Sequence, residues 1–197
     1  MTENRDMPLL KTDRLVLRGF EASDTERLAR LIGDFEVCGN LSQAPYPYGV
    51  ADAQEWIAGR PARPEPGETT LAITTQDDGL VGAAGFHIMG TEPTLGYWLG
   101  RAWWGRGYMS EAAFAVLQWY FDVTTAASVQ SGAFHFNAPS LAIQRKLGFV
   151  VTGRSLNHNR ARGEDIEHVD TELTRQAFQA VRQRREEQAG RNEKKAS

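Results

Sequence analysis

Residues Leu95 to Ala112 read as a strand, a glycine-bearing turn and the start of a helix, with Gly105-Arg106-Gly107 in the turn. A helix N-terminus exposes backbone amides that lack intrahelical partners and carries a partial positive charge. Glycines at 105 and 107 let that backbone approach a large anion closely. The chemistry on offer is a diphosphate cradle, and the alternative is a tight strand-to-helix connection with no ligand. No Gly-Lys-Ser/Thr occurs, which excludes a P-loop; Ser110 at the third glycine position, after four strands, excludes a dinucleotide fingerprint. Another phosphate-bearing ligand is implied. The single cysteine, Cys38, has no CxxC partner and no Cys/His spacing suited to zinc, so it reads as a passive thiol and no metal is expected.

The turn needs elements to hold it. Met109, Ala112, Ala113, Val116, Leu117 and Tyr120 recur at helical spacing and predict a helix over 109–121 with one buried face. Before it, strands are expected at Arg14–Phe20, Thr69–Thr75, Leu80–Met89 and Thr94–Leu99. Asp77-Asp78-Gly79 makes the hairpin of an antiparallel meander. Ser23 or Asp24 can cap a first helix bearing Leu28, Leu31 and Ile32. Residues 40–67 hold five of the eight prolines around a short helical pattern with Trp56 and Ile57. After the long helix come a strand over Ser128–Phe136 and a short helix over 138–147, with Pro139 in its first turn and Gly148 as C-cap. Strands near Phe149–Gly153 and His168–Thr174 then flank a polar loop, and a charged helix or tail begins at Gln176.

The 197 residues, 41% hydrophobic, fit one domain with a real core and exclude disorder throughout. No stretch is apolar enough to span a membrane, and the first residues lack the order of a signal peptide, so a soluble, cytoplasmic protein without membrane partners is expected. Net charge is -3; residues 181–197 carry six Lys/Arg against three Asp/Glu, leaving 16 against 22 before them. An acidic body argues against nucleic acid as partner and favours an amine or basic peptide.

Thr12-Asp13-Arg14-Leu15-Val16-Leu17-Arg18, Gly96-Tyr97-Trp98-Leu99, Trp104-Gly105-Arg106-Gly107-Tyr108-Met109-Ser110-Glu111-Ala112, and Asn137-Ala138-Pro139-Ser140 with Lys146-Leu147-Gly148-Phe149 occur in this order. Over residues 8–178 this set resembles the GNAT superfamily of acyl-CoA-dependent N-acetyltransferases, in its RimJ/RimL-like branch of ribosomal-protein N-terminal acetyltransferases. The resemblance implies an α/β (α+β) GNAT fold. Its mixed, mostly antiparallel seven-stranded sheet would be splayed between its fourth and fifth strands, with helices on both faces. Acetyl-CoA would sit in the gap, its diphosphate on the amides of Trp104, Gly105, Arg106, Gly107, Tyr108 and Met109. Tyr97 and Leu99 would offer main-chain groups to the pantetheine arm, and Asn137 a side-chain amide. The domain would occupy 1–180, with 181–197 a charged, flexible tail.

Amide formation needs a neutral amine, donors for the developing oxyanion and a proton for the departing thiolate. Many members of the superfamily use a tyrosine where this chain has Gln144, which has no titratable proton. Ser140 of the Asn-x-x-Ser motif is the substitute, unless it only caps the helix. For the base, Thr94 stands where relatives carry glutamate. The alternatives are His158, Glu92 if the strand extends past Pro93, or an active-site water. His87, His135 and His168 read as strand residues with local hydrogen bonds. Tyr46, Tyr48 and Trp56 on one side, and 157–165 on the other, are placed to line an amine pocket. The expected reaction is direct acetyl transfer from acetyl-CoA to a primary amine, either a protein N-terminal α-amine or a small-molecule amine. The rival is a non-catalytic acyl-CoA-binding module. Exposed strand edges allow a homodimer.

Overall fold

The computed structural model describes residues 7–89 and 91–196. Alternating side chains produce strands β1 (Leu10–Lys11), β2 (Val16–Arg18), β3 (Thr70–Thr75), β4 (Gly79–Met89), β5 (Glu92–Leu99), β6 (Ser128–Phe134), β7 (Val150–Asn159) and β8 (Glu164–Thr174). Helical spacing produces α1 (Thr25–Ile32), α2 (Phe35–Cys38), α3 (Val50–Ala58), α4 (Tyr108–Val123), α5 (Ala138–Leu147) and α6 (Arg175–Ala196). The strands form one mixed sheet in the order β1-β2-β3-β4-β5-β6-β8-β7.

The sheet has eight strands where seven are expected. The added strand is the two-residue β1, which pairs antiparallel with β2 through Leu10↔Leu17 and Lys11↔Val16. It is too short to give a periodic signal. The polar loop expected before His168 is also strand. β7 and β8 pair continuously from Val150↔Glu172 to Asn159↔Glu164, with a shift between Val151 and Gly153. Both β7 faces are largely exposed, and its polar residues hide the period of two.

Among the described residues all pairings are antiparallel except β5–β6, which are parallel and meet only at Thr94↔Gln130. Ser131 Oγ adds one donor to the Leu95 carbonyl at 2.9 Å, and beyond that point the strands part. This opening is the expected splay. The odd-numbered side chains of β5, Leu95 and Leu99, pack with Phe86, Met109, Ala113, Val116, Leu117 and Leu147 into the main core under α4 and α5. Fully burying a residue such as Phe86 contributes about 1.5–3 kcal/mol. On the opposite face Ala72, Leu80 and Trp98 pack with Leu28, Ile32 and Ala53 beneath α1 and α3.

Asp24 does not cap α1 through its side chain. It accepts both Arg18 guanidinium nitrogens at 2.7 and 2.9 Å and the Glu21 amide at 2.9 Å, tying β2 to the first helix. Residues 181–196 continue α6, in which Phe178 and Val181 are buried, Arg182 is paired to Asp122 and Arg185 lies over the Phe114 ring. Among the described residues no helix is long and apolar enough to cross a membrane.

Candidate active site

The glycine turn has the conformation that its sequence suggests. Gly105 and Gly107 have φ of 72° and 78°, left-handed values that cost a side-chain-bearing residue about 1–2 kcal/mol. A Cβ at Gly105 would meet no atom within 4 Å, so the backbone there is open to a ligand. Gly107 is the N-cap of α4 and offers no side chain to the first turn. The first helical bond is Glu111 N to the Gly107 carbonyl, which leaves the amides of Tyr108, Met109 and Ser110 without intrahelical acceptors. These features fit a diphosphate.

An acidic residue in this turn, Glu111, would repel the anion if it were free. It accepts from Thr12 Oγ1 at 2.6 Å, from the Arg14 amide at 3.0 Å and from Arg14 Nε at 2.7 Å. Burial pushes its carboxyl up, and the bonds from Thr12 and Arg14 more than reverse this, so it stays ionised and paired. Arg14 also donates to the Arg106 carbonyl at 2.9 Å and lies over the Tyr108 ring, which fixes the turn to the N-terminal strands. Trp104 Nε1 donates to the Leu99 carbonyl at 2.7 Å, so that main-chain acceptor is already engaged.

At the strand gap the Tyr97 hydroxyl reaches α5. It lies 3.0 Å from Ser140 Oγ and donates at 3.2 Å to the Ser140 carbonyl as the alternative. Gln144 Nε2 donates to the Gly132 carbonyl at 2.9 Å and to Ser140 Oγ at 3.3 Å, while its Oε1 accepts from Thr171 at 2.7 Å. Gln144 is 1% exposed, and this network fixes which end of its amide faces Ser140. Ser140 therefore accepts from Gln144 and keeps its own hydrogen for Tyr97 or the gap. The helix cap is Asn137, whose Oδ1 accepts from the Ser140 amide at 3.2 Å. Burial raises the Tyr97 phenol, offset in part by Ser140 and Gln144, so it holds its proton at neutral pH.

The opposite face of the sheet forms the floor of a cleft of about 990 Å³. Registers Ala83↔Trp98, Gly85↔Gly96 and His87↔Thr94 put those residues on one face, and Gly132, Phe134, His168 and Asp170 continue it beyond the gap. Tyr48 and Trp56, expected to line an amine pocket, line this cleft, and so do Tyr97, Asn137 and Ser140, which sequence reasoning assigns to the cofactor and the leaving sulfur. Tyr46 does not: it is 51% exposed and packs edge-on against Phe35. Trp56 also serves the core through an edge contact with Phe20 at 4.9 Å.

The structure does not bring His158 into the cleft. On β7 Ser155 and Asn157 point inward, so His158 points out, where it is paired to Asp165 at 2.8 Å. β5 does run through Pro93, so Glu92 shares the Thr94 face, but Glu92 is exposed and outside the cleft lining. A pair that sequence reasoning passes over faces the cleft instead. His168 Nδ1 lies 2.7 Å from Asp170 Oδ1, which also accepts from Ser155 Oγ at 2.9 Å. The imidazole rests on Gly132, where a Cβ would come 2.2 Å from its Cε1. The signal was the i, i+2 spacing of His168 and Asp170 on one strand face. The hairpin tip is pinned across the cleft end: Asn159 Nδ2 and Arg162 Nε donate to the Gly39 carbonyl, and Arg160 N donates to that of Ser42. Among the described residues no group of three or more metal-binding side chains occurs.

The sequence profile of the acetyltransferase (GNAT) domain matches residues 14–150. The N-acetyltransferase p20 of Bacillus licheniformis, itself uncharacterized, is 27% identical over 166 residues, covering 82% of this chain and 93% of that protein. Two solved structures share the fold. The microcin C7 self-immunity acetyltransferase MccE, in complex with acetyl-CoA and AMP, has a TM-score of 0.70 at 18% identity, over 83% of this chain and 93% of its own. The ribosomal L7/L12 α-N-protein acetyltransferase RimL has a TM-score of 0.69 at 18% identity, over 85% and 94%.

Proposed function

The chain belongs to the GNAT acetyltransferase family and is an acyl-CoA-dependent acetyltransferase; from that premise we propose that its acceptor is the α-amine of a peptide or protein N-terminus. The observation that carries this reading is the cleft. At about 990 Å³ it stands at the upper limit of small-molecule pockets, and its floor crosses β4, β5 and β6 to the gap where Tyr97 and Ser140 meet. The fold likeness to RimL and the branch-type motifs point the same way. MccE, of like fold, keeps a small-molecule amine as the second reading.

The amides of residues 104–109 would hold the diphosphate. Acetyl-CoA, when bound, supplies the acetyl thioester to which the amine adds. The Tyr97–Ser140 pair holds the proton that the leaving sulfur needs, doing the work of the tyrosine that Gln144 replaces. His168, oriented by Asp170, faces the cleft beyond the gap and takes the amine's proton, directly or through a water. Cys38 is buried and raised by that burial, so no covalent acyl-enzyme is invoked. The test is thiol release from acetyl-CoA with free and N-terminally blocked peptides and with small amines. The reading expects release only with free peptides; turnover of small amines alone would replace it with the second.

A further inference from the structure

We infer that the acceptor carries an anionic group, a carboxylate or a phosphate, which Arg60 and the Tyr48 hydroxyl bind at the β4 side of the cleft. Arg60 follows the last turn of α3, and its guanidinium lies 4.0 Å over the Trp56 ring. Among the described residues it has no countercharge: no carboxylate oxygen lies within 4.0 Å of it, and its buried Nε has no hydrogen-bond partner. The Tyr48 hydroxyl beside it is also buried and unpartnered. Two buried donors without acceptors cost the fold free energy unless something else satisfies them. Arg60, Tyr48, Trp56 and His87 all line the acceptor cleft, so that something enters with the acceptor.

The electrostatics agree. Burial pushes the Tyr48 phenol up to about 12, so it is a donor at every physiological pH. Burial, then the Arg60 charge, holds the His87 imidazole below its ordinary range, so it adds no second cation. The acids that line this end are Asp52, whose carboxylate is bonded to the Gly49 amide, and Glu55.

Position gives a length. His87 pairs with Thr94, three residues along β5 from Tyr97, so at about 3.3 Å per residue the anion site is about 10 Å from the gap where Tyr97 meets Ser140. An extended chain advances about 3.3–3.6 Å per residue, so the anionic group lies two to three residues from that amine. A free α-amino acid is too short. An acidic or phosphorylated side chain at the second or third position fits, as does the terminal carboxylate of a di- or tripeptide.

The inference rests on the acetyltransferase reading, and the experiment separates the two. Thiol release is measured with N-terminally free tripeptides that differ only in an aspartate, a phosphoserine or an alanine at the third position, each as acid and as amide. A charged hydrogen bond is worth at least about tenfold, so the anionic peptides are preferred by that factor in kcat/KM, mainly through KM. Arg60→Gln removes the preference. Tyr48→Phe, which deletes an unpartnered hydroxyl, lowers it by a smaller factor without lowering the melting temperature. Equal use of charged and neutral peptides, or a preference that survives Arg60→Gln, overturns the inference. If no peptide turns over while acetyl-CoA still raises the melting temperature, the peptide reading fails. The Arg60 Nε–H resonance, titrated with acetate and with inorganic phosphate, then decides alone. A saturable shift upholds the anion site, and none overturns it.

Discussion

Among the described residues four glycines outside the C-cap of α5 have positive φ, and two of them permit a controlled test of the cradle. Gly105 (φ 72°) lies in the turn before α4; Gly79 (φ 66°) lies in the β3–β4 hairpin. A Cβ at either position meets nothing within 4 Å, so alanine brings strain without a clash. The strain is about 1–2 kcal/mol in both cases. For a domain of this size it lowers Tm by about 2–8 °C. The two variants therefore match in stability and differ in ligand binding. At Gly105 the strain is relieved by rotating a peptide unit, which turns an amide away from the diphosphate. One lost bond to a charged group is worth about 1.5–3 kcal/mol, or roughly a tenfold to hundredfold rise in the acetyl-CoA Kd. Calorimetric titration of acetyl-CoA into Gly79→Ala and Gly105→Ala measures the difference. Equal Kd values in the two variants would refute the assignment of the turn as the diphosphate site.

The Arg18–Asp24 pair makes stability acid-sensitive. Burial raises the Asp24 carboxyl, but the Arg18 bonds and the Glu21 amide bring it below the ordinary aspartate range. Its folded pKa is thus depressed, and the stability it contributes is present above the unfolded value and lost as pH falls through the folded one. Asp24→Asn should cost about 2 kcal/mol at neutral pH and flatten the fall in Tm under acid conditions; a variant as stable as the parent with the same acid profile would contradict this. For the proton acceptor, His168→Gln should lower kcat about a hundredfold with the acetyl-CoA Kd unchanged. A parent-like kcat in that variant would assign the amine's proton to water alone.

Much of the frame was legible because the signals are local. The 109–121 period gave α4 to within two residues at each end, and Asp77-Asp78-Gly79 gave the β3–β4 hairpin. Gly148, at φ 97°, ends α5 as expected. The Trp104–Met109 turn leads into α4, and Asn137 and Ser140 stand at the start of α5, where their motifs imply. What escaped depends on contacts between distant segments. The Tyr97 hydroxyl was missed because its partner, Ser140, is 43 residues away on another element. β7 and β8 were cut short because Arg154, Asn157, Glu164 and Glu167 read as loop, whereas an exposed hairpin accepts them on either face. That His158 faces away from the cleft and His168 into it was hidden for a related reason: only the register of β7 on β8 tells which face points into the cleft. Arg60 was invisible because no local sign shows that, among the described residues, it lacks a carboxylate partner.

The central claim is that Tyr97 and Ser140 act as one proton-holding unit at the strand gap of an acetyltransferase. Single-turnover thiol release with a free peptide tests it in the parent, Tyr97→Phe, Ser140→Ala and the double variant. The account predicts a fall of about a hundredfold in each single variant. The double variant should be little worse than either, and the melting shift produced by acetyl-CoA should be retained in all. Parent-like rates in either single variant would contradict it.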